Sequence, residues 1–242
     1  MTPLVLVHGF MGGSAQWDAE IAALSGTRPI IALDLPGFGA NAHLPPIASI
    51  VGFAEWVLAD LQARGVEAFH LLGHSMGGMI VQEVAHRAPT RVRQLVLYAT
   101  GAIGVLPGRF ETIAESKARA RADGARATAR RIAATWFREG AACPAYEGCA
   151  AIAESAAPDA IDAGLDAMQH WSGEAALPKL QQDTLIIWGD RDRTYPWRQI
   201  ETLWQRIPTT HLAVVPRCAH AVHLENPDAF VPLLRQHLDA AG

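Results

Sequence analysis

FHLLGHSMGGM, residues Phe69–Met79, joins an apolar run to a helical pattern through the motif Gly-x-Ser-x-Gly. A serine on a sharp turn between a strand and a helix has its hydroxyl held above the sheet, and only small residues fit two positions before and after it. Gly73 and Gly77 occupy these two positions. The start of the following helix offers free backbone N–H groups, which favour negative charge nearby. Ser75 is therefore our candidate nucleophile.

Composition narrows the class of protein. The chain has 242 residues, of which 50% are hydrophobic and 18% charged, and this is enough for one sizeable core. A net charge of −4 gives no basic surface for nucleic acid. The chain contains no apolar run long enough to span a membrane, and its first residues lack the basic start of a signal peptide. We therefore expect a cytoplasmic protein that binds neither nucleic acid nor membrane.

The cysteines predict neither a disulfide framework nor a metal site. Cys143, Cys149 and Cys218 are too few and too irregularly spaced for paired disulfides or for a four-ligand zinc site. We expect them to be reduced thiols, mostly buried, and we expect no metal ion.

Strand patterns alternate with helical patterns, which is typical of a parallel sheet with helices on both faces. We predict strands over residues 4–7, 29–35, 69–72, 94–98, 184–188 and 211–215. We predict helices over 15–24, 50–64, 76–88 and 197–207, and a last helix with Asn226 as its N-cap and Pro227 as its first residue. The sequence therefore predicts an α/β fold with a mostly parallel sheet of about six strands.

The alternation stops after the fourth strand pattern. Between about Gly101 and Leu177 we find only helical patterns, in an alanine- and arginine-rich stretch over 115–137 and again over 160–171. We predict a helical cap over residues 102–177, inserted into a core domain made of residues 1–101 and 178–242. We expect the basic residues of the first stretch to form a solvated helix face; they are Lys117, Arg119, Arg121, Arg126, Arg130 and Arg131.

A serine hydroxyl becomes a good nucleophile only when a base takes its proton and a third group fixes the tautomer of that base. In open parallel sheets such groups collect at the carboxyl ends of strands, and this turn calls for the chain order Ser, Asp, His. Asp190 and Asp192 follow the fifth predicted strand, and His220 and His223 follow the sixth. Spacing alone does not separate either pair. Asp34 also ends a strand but precedes the serine, so we expect it to fix a loop.

Five ordered motifs carry a resemblance to a known family. They are Val7-His8-Gly9-Phe10, Asp34-Leu35-Pro36-Gly37-Phe38-Gly39, Gly73-His74-Ser75-Met76-Gly77-Gly78, Gly189-Asp190-Arg191-Asp192 and the run from His220 to Pro227. Together they resemble the α/β-hydrolase superfamily, in its serine-nucleophile branch with a helical cap, and they cover nearly the whole chain except the cap. The resemblance implies an α/β-hydrolase fold. Two departures are the missing N-terminal hairpin, which implies six strands, and Ala219, where the family usually has glycine.

The resemblance also implies roles for individual residues. Asp192 matches the acid of the family and His220 matches its base, so that Ser75, Asp192 and His220 would form a catalytic triad. The backbone N–H groups of Phe10 and Met76 match the two donors of the oxyanion hole. No cofactor is implied.

The reaction implied by the resemblance is hydrolysis of a carboxylic ester of a small, mainly apolar substrate through an acyl-enzyme on Ser75. Hydrolysis of an enol-lactone or of a carbon–carbon bond, or a perhydrolase reaction, would use the same triad. The carbon–carbon bond hydrolases usually have asparagine and tryptophan where this chain has His74 and Ala221. A non-catalytic small-ligand receptor is an alternative of another class, which the loss of a triad residue would favour. No such loss is found.

The cap is the segment expected to select the substrate. Our candidate pocket residues are Trp136, Phe137, Met168, Trp171 and His223. Aromatic residues at helical spacing also pack a cap onto its core, so packing is the alternative to substrate contact for each of these aromatic residues. Arg109 is a candidate anchor for a substrate carboxylate. The sequence allows a monomer or a homodimer.

Overall fold

One sheet organises the part of the chain that the computed structural model describes, residues 1–106 and 111–240. Its six strands in these residues have the order β2-β1-β3-β4-β5-β6, and neighbouring strands are parallel throughout. The strands are β1 (Leu4–Val7), β2 (Ile30–Leu33), β3 (Phe69–His74), β4 (Val92–Tyr98), β5 (Asp183–Gly189) and β6 (Thr210–Val215). The predicted α/β fold with about six strands is confirmed. Parallel pairing also brings the carboxyl ends of β1, β3, β4 and β5 side by side.

Ten α-helices connect or follow these strands within the described residues. They are α1 (Asp18–Leu24), α2 (Ile50–Ala63), α3 (Met76–Arg87), α4 (Ile113–Asp123), α5 (Ala125–Thr135), α6 (Tyr146–Glu154), α7 (Pro158–Gln169), α8 (Trp197–Arg206), α9 (Val222–Glu225) and α10 (Pro227–Asp239). The predicted N-cap residue of α10 is confirmed, because the Asn226 side chain accepts a hydrogen bond from the Ala229 N–H at 3.1 Å. None of the helices in the described ranges is long and apolar enough to cross a bilayer.

Helices cover both faces of the sheet because side chains alternate along each strand. Val5 and Val7 of β1 belong to the apolar cluster that includes Val57 of α2 and residues of α3. Leu4 and Leu6 belong to a second cluster on the other face, with residues of α1 and α10. The continuous apolar character of β1 and β3 follows from this burial on both sides.

Helices α4 to α7 fill the segment between β4 and β5, and the sheet gains no strand from its described residues. The predicted helix over 115–137 is interrupted at Gly124, where a φ of +81° ends α4 and α5 begins. Helix α6 was not predicted, because its short alanine-rich sequence carries a weak apolar pattern. The division of the chain into a core domain and a cap domain stays a prediction.

Acidic side chains neutralise the basic residues of this segment. Lys117 pairs with Asp166, Arg121 with Asp162, and Arg130 with both Glu147 and Glu154. The same holds for Arg119, Arg126 and Arg131, whose partners are Glu111, Glu154 and Asp123. Ion pairs at the surface contribute little to stability, so this pairing mainly leaves the helices without a net basic face.

Candidate active site

Ser75 lies at the turn between β3 and α3 in a strained backbone conformation. Its φ is +57°, a region that residues other than glycine seldom occupy. Three hydrogen bonds hold it there. The Ser75 N–H donates to the Tyr98 backbone oxygen at 2.9 Å. The Ser75 backbone oxygen accepts from the Thr100 hydroxyl at 2.7 Å and from the Gly78 N–H at 2.9 Å. Neighbouring strand β4 and its following loop therefore supply much of the support for the turn.

The glycines of the motif are required by close backbone packing. A Cβ atom at Gly73 would lie 2.3 Å from the Gly77 oxygen, and one at Gly77 would lie 2.4 Å from the Val7 oxygen. A Cβ at Gly9 would lie 2.9 Å from the Ser75 Cβ, so the loop after β1 passes directly beside the serine. The turn is as tight as the motif predicts.

A buried pair, Asp192 and His220, lies beside this turn. The His220 Nδ1 is 2.9 Å from Asp192 Oδ2, and both side chains are at most 2% exposed. The second carboxylate oxygen, Oδ1, accepts from the backbone N–H groups of Thr194 at 2.7 Å and Tyr195 at 3.2 Å. The carboxylate is therefore fixed on both oxygens, and it orients the imidazole through Nδ1.

Asp190 and His223, the other candidates for the acid and the base, make different contacts. Asp190 Oδ1 accepts from the Arg217 N–H at 2.6 Å, which ties the loop after β5 to the loop after β6. His223 Nδ1 is 2.8 Å from the Tyr98 hydroxyl, and its ring lies 4.8 Å from that of Trp17. Burial, followed by repulsion from His220, lowers the pKa of His223 to about 3. His223 is thus a neutral residue of the core.

The loop after β1 is held by two side chains. Leu35 N–H donates to His8 Nε2 at 3.0 Å, so the proton of this imidazole is on Nδ1, which donates to the Gly9 oxygen at 2.7 Å. Burial lowers the pKa of His8 to about 4, which keeps it neutral. Asp34 accepts from the Ser14 N–H and hydroxyl at 2.7 and 2.8 Å, and this confirms its predicted loop-fixing contacts.

Two backbone N–H groups near Ser75 are open. Within the described part of the chain, the N–H groups of Phe10 and Met76 have no hydrogen-bond acceptor. Met76 is the first residue of α3, and Phe10 follows Gly9, which abuts Ser75. Both groups thus belong to the segments that flank Ser75, and their part in an oxyanion hole stays a prediction.

His74 is a site residue that the sequence analysis missed. Its Nε2–H donates to the His220 backbone oxygen at 3.1 Å, and its Nδ1 lies 3.4 Å from Gln16 Nε2. The His74 ring stacks on Tyr98, with 4.5 Å between ring centroids. Burial is the largest cause that lowers the pKa of His74 well below its usual range. Strand alternation was the available signal, because it places His74 on the same sheet face as Leu72.

Ser75 and His220 open into one cavity of about 760 Å³. Its apolar lining includes Phe10, Leu106, Ile132, Trp136, Met168, Tyr195 and Pro196. Trp136 and Met168, two of the candidate pocket residues, are among its lining residues. The lining brings residues of α5 and α7 over the carboxyl ends of the strands, so substrate specificity can depend on both parts of the chain.

Three predicted pocket residues lie outside the described lining of this cavity: Phe137, Trp171 and His223. Phe137 is fully buried in a small cluster with Tyr146 and Ala150. Trp171 is directed to α3, where its Nε1–H donates to Glu83 at 2.9 Å. His223 is held by Tyr98, as described above. These three residues therefore pack the structure instead of contacting the cavity, and Arg109 lies outside the described residues.

No group of three metal-ligating side chains occurs within residues 1–106 and 111–240. The three cysteines are free, and Cys149 and Cys218 are buried.

A comparison with known families agrees with this geometry. A family model described as alpha/beta hydrolase fold matches residues 2–227. The chain belongs to the α/β-hydrolase fold family.

Relatives of this α/β-hydrolase extend over nearly its whole length. The pimeloyl-[acyl-carrier protein] methyl ester esterase of Neisseria meningitidis is 27% identical over 97% of this chain and 92% of its own. A protein of Pseudomonas savastanoi pv. phaseolicola, provisionally named carbamate hydrolase RutD, is 27% identical over 98% of this chain and 93% of its own. The solved structure of a thermophilic esterase from Thermogutta terrifontis has a TM-score of 0.90 at 25% identity, covering 100% of this chain and 90% of that one.

Two charged residues of this α/β-hydrolase also line the cavity and were not predicted. Glu111 lies just before α4, and Arg193 directly follows Asp192. No sequence pattern indicates the direction of either side chain, since both lie in loops. The one usable signal was that Arg193 is adjacent to Asp192 in the chain.

Proposed function

We propose that this chain hydrolyses a carboxylic ester of a small, mainly apolar substrate through an acyl-enzyme on Ser75. The observation that carries the proposal is the cavity, which both Ser75 and His220 line while Asp192 holds the far nitrogen of the imidazole. In this proposal Ser75 is the nucleophile, His220 is the base and Asp192 is the group that orients the base.

In the proposed reaction, His220 takes the proton of Ser75 at Nε2 while the serine oxygen attacks the ester carbonyl. The Asp192 carboxylate stabilises the imidazolium that forms. The open N–H groups of Phe10 and Met76 receive the developing oxyanion, a contribution of about 3 kcal/mol per donor in other enzymes. His220 then protonates the leaving alcohol. Water, activated by the same base, releases the acid and restores Ser75.

Esters are favoured by the relatives, among which a methyl ester esterase and a thermophilic esterase both match nearly the whole chain. Carbamate hydrolysis is a second candidate, which the relative from Pseudomonas savastanoi favours. A carbamate carbonyl reacts through the same kind of tetrahedral intermediate. Enol-lactones, carbon–carbon bonds and perhydrolysis would use the same three residues. The presence of all three argues against a non-catalytic receptor.

The test is hydrolysis of p-nitrophenyl esters from acetate to dodecanoate, with a p-nitrophenyl carbamate in parallel. Ser75→Ala is expected to lower kcat by about 10³-fold or more. Ser25→Ala serves as the matched control, because the Ser25 hydroxyl is exposed and bonds only weakly to the Ala22 oxygen, at 3.4 Å. A folded wild type that hydrolyses no ester, or a Ser75→Ala variant as active as Ser25→Ala, would overturn the proposal.

A further inference from the structure

The loop between β5 and α8 brings a cation to the cavity. Arg193 directly follows Asp192, and it is among the residues that line the cavity, together with Thr194 and Tyr195. The Asp192 carboxylate binds His220, whose ring stacks on that of Tyr195 with 5.8 Å between centroids. Arg193 therefore belongs to the same wall of the cavity as the proposed acid and base.

The guanidinium of Arg193 is fixed at one nitrogen and open at the others. Its Nη2 donates to the Phe137 backbone oxygen at 2.9 Å, which ties the loop to the segment after α5. Among the described residues, Nε and Nη1 have no acceptor, and no carboxylate pairs with this cation. The side chain is exposed to solvent. A guanidinium presents parallel N–H groups that match the two oxygens of a carboxylate.

The other charged residue of the described lining is already neutralised. Glu111 accepts from the Ser116 hydroxyl at 2.8 Å through Oε2, and its Oε1 pairs with Arg119 at 3.0 Å. Most of the remaining lining is apolar, and the exposed guanidinium attracts an anion mainly through the hydrogen bonds that it can donate. Within the described residues, the cavity thus has one uncompensated charge, and it is positive.

We propose that Arg193 binds a carboxylate of the substrate, so that the preferred substrates are half-esters of dicarboxylic acids. The inference rests on the proposed ester hydrolysis and names the substrate class of the same site. The carboxylate binds the open N–H groups of Arg193 while the ester carbonyl reaches Ser75. The methylene chain between them packs on apolar lining residues such as Trp136 and Met168.

Pairs of methyl esters with equal acyl length test the proposal. Each pair consists of a half-ester and a neutral ester: monomethyl glutarate with methyl pentanoate, monomethyl adipate with methyl hexanoate, and monomethyl suberate with methyl octanoate. The readout is the ratio of the two kcat/KM values within a pair. We expect a wild-type ratio above one for at least one chain length. Arg193→Gln lowers this ratio by about 10- to 100-fold, which corresponds to a charge-assisted hydrogen bond.

Arg191→Gln is the matched control for charge. Arg191 is two residues away, pairs with Asp190 at 3.6 Å and is not among the described lining residues. Its replacement leaves the ratio within about 2-fold of the wild type. Arg193→Lys is a second variant for the case in which Arg193→Gln does not fold. It retains the positive charge but loses the planar set of N–H donors, so it should lower the ratio less than Arg193→Gln does. Equal ratios in the wild type and the Arg193 variants would overturn the proposal.

Binding to Ser75→Ala separates this inference from the proposed hydrolysis, because it needs no turnover. Titration calorimetry should show that Ser75→Ala binds monomethyl adipate more tightly than methyl hexanoate, and that the added Arg193→Gln removes this difference. If calorimetry gives both results although the wild type hydrolyses neither ester, the carboxylate subsite is supported and the proposed hydrolysis is overturned. If both esters are hydrolysed with a ratio that does not depend on Arg193, the subsite fails and the hydrolysis stands.

Discussion

The imidazole Nε2 of His74 lies 3.1 Å from the backbone oxygen of His220, although 146 residues separate the two in the chain. The residue before the candidate nucleophile thus holds the backbone of the candidate base. Since this hydrogen bond connects β3 to the loop after β6, it couples the positions of Ser75 and His220. Burial keeps His74 neutral, because its pKa lies well below the usual range.

His74 is therefore a positioning residue. We expect His74→Ala to lower kcat by about 10-fold or more with a smaller change in KM, because a misplaced base costs more in the transition state than in substrate binding. Steady-state kinetics on a p-nitrophenyl ester measures this split. His86→Ala, in the exposed last turn of α3, is the control. A purely structural role would lower the melting temperature and leave kcat of the folded fraction unchanged.

The choice between Asp190 and Asp192 gives a second prediction. Asp192→Asn removes the charge that orients His220 and is expected to lower kcat by about 10³- to 10⁴-fold. Asp190→Asn changes a carboxylate that accepts from the Arg217 N–H and pairs with Arg191, neither of which contacts His220, so its main effect should be on stability. Kinetics and thermal unfolding of both variants check the assignment. Greater loss of kcat in Asp190→Asn would reverse it.

The tightness of the turn gives a third prediction. Gly73→Ala places a Cβ 2.3 Å from a backbone oxygen, and backbone cannot move as a flexible side chain can. We expect it to lower the free energy of unfolding by about 3 kcal/mol or to prevent folding. Gly26→Ala has no atom within 4 Å of the new Cβ and should change stability by less than about 0.5 kcal/mol. Urea unfolding compares the two, and equal effects would contradict the account of the motif.

Buried neutral histidines predict a loss of stability in acid. Burial lowers the pKa of His8 to about 4 and that of His223 to about 3, whereas the unfolded chain has ordinary values of about 6.5. Between these values the unfolded state binds more protons, so the free energy of unfolding falls as the pH is lowered from about 6.5 to 4. Glu20 acts oppositely, because burial raises its pKa to about 7 and its contribution is lost as the pH rises.

Replacing His223 isolates its contribution to this pH dependence from the contributions of the other titrating groups. His223→Gln should reduce the slope of unfolding free energy against pH by up to about 1.4 kcal/mol per pH unit within this window. Denaturant unfolding at intervals of half a pH unit measures it. The exposed His43 is the control, since His43→Gln should leave the slope unchanged. An unchanged slope in His223→Gln would mean that His223 is not the source of the effect.

Local pattern was sufficient for the sheet and for the turn at Ser75. The glycine spacing and the Asn226 N-cap depend on contacts within a few residues, and the structure agrees with both. The bounds of the strands agree to within two residues. The pairing of Asp192 with His220 needed either the family resemblance or the folded chain, because the two are 28 positions apart and two alternatives fit the same loops.

The lining of the cavity was harder to predict. Trp171 has the apolar character expected of a pocket residue, yet its indole N–H finds Glu83, which is 88 residues away in the chain. Arg193 was overlooked because a charged loop residue is usually solvated, and its place in the cavity lining depends on how distant segments pack. Contacts between distant segments decide both outcomes.

The measurement that tests the central claim most directly is covalent labelling of the nucleophile. The protein is incubated with a p-nitrophenyl alkylphosphonate, and intact mass and peptide masses are recorded. We expect one adduct per chain, located on the peptide that contains Ser75, with release of one equivalent of p-nitrophenol. We expect no adduct in Ser75→Ala. An adduct on another residue, or labelling of Ser75→Ala at the wild-type rate, would contradict the claim.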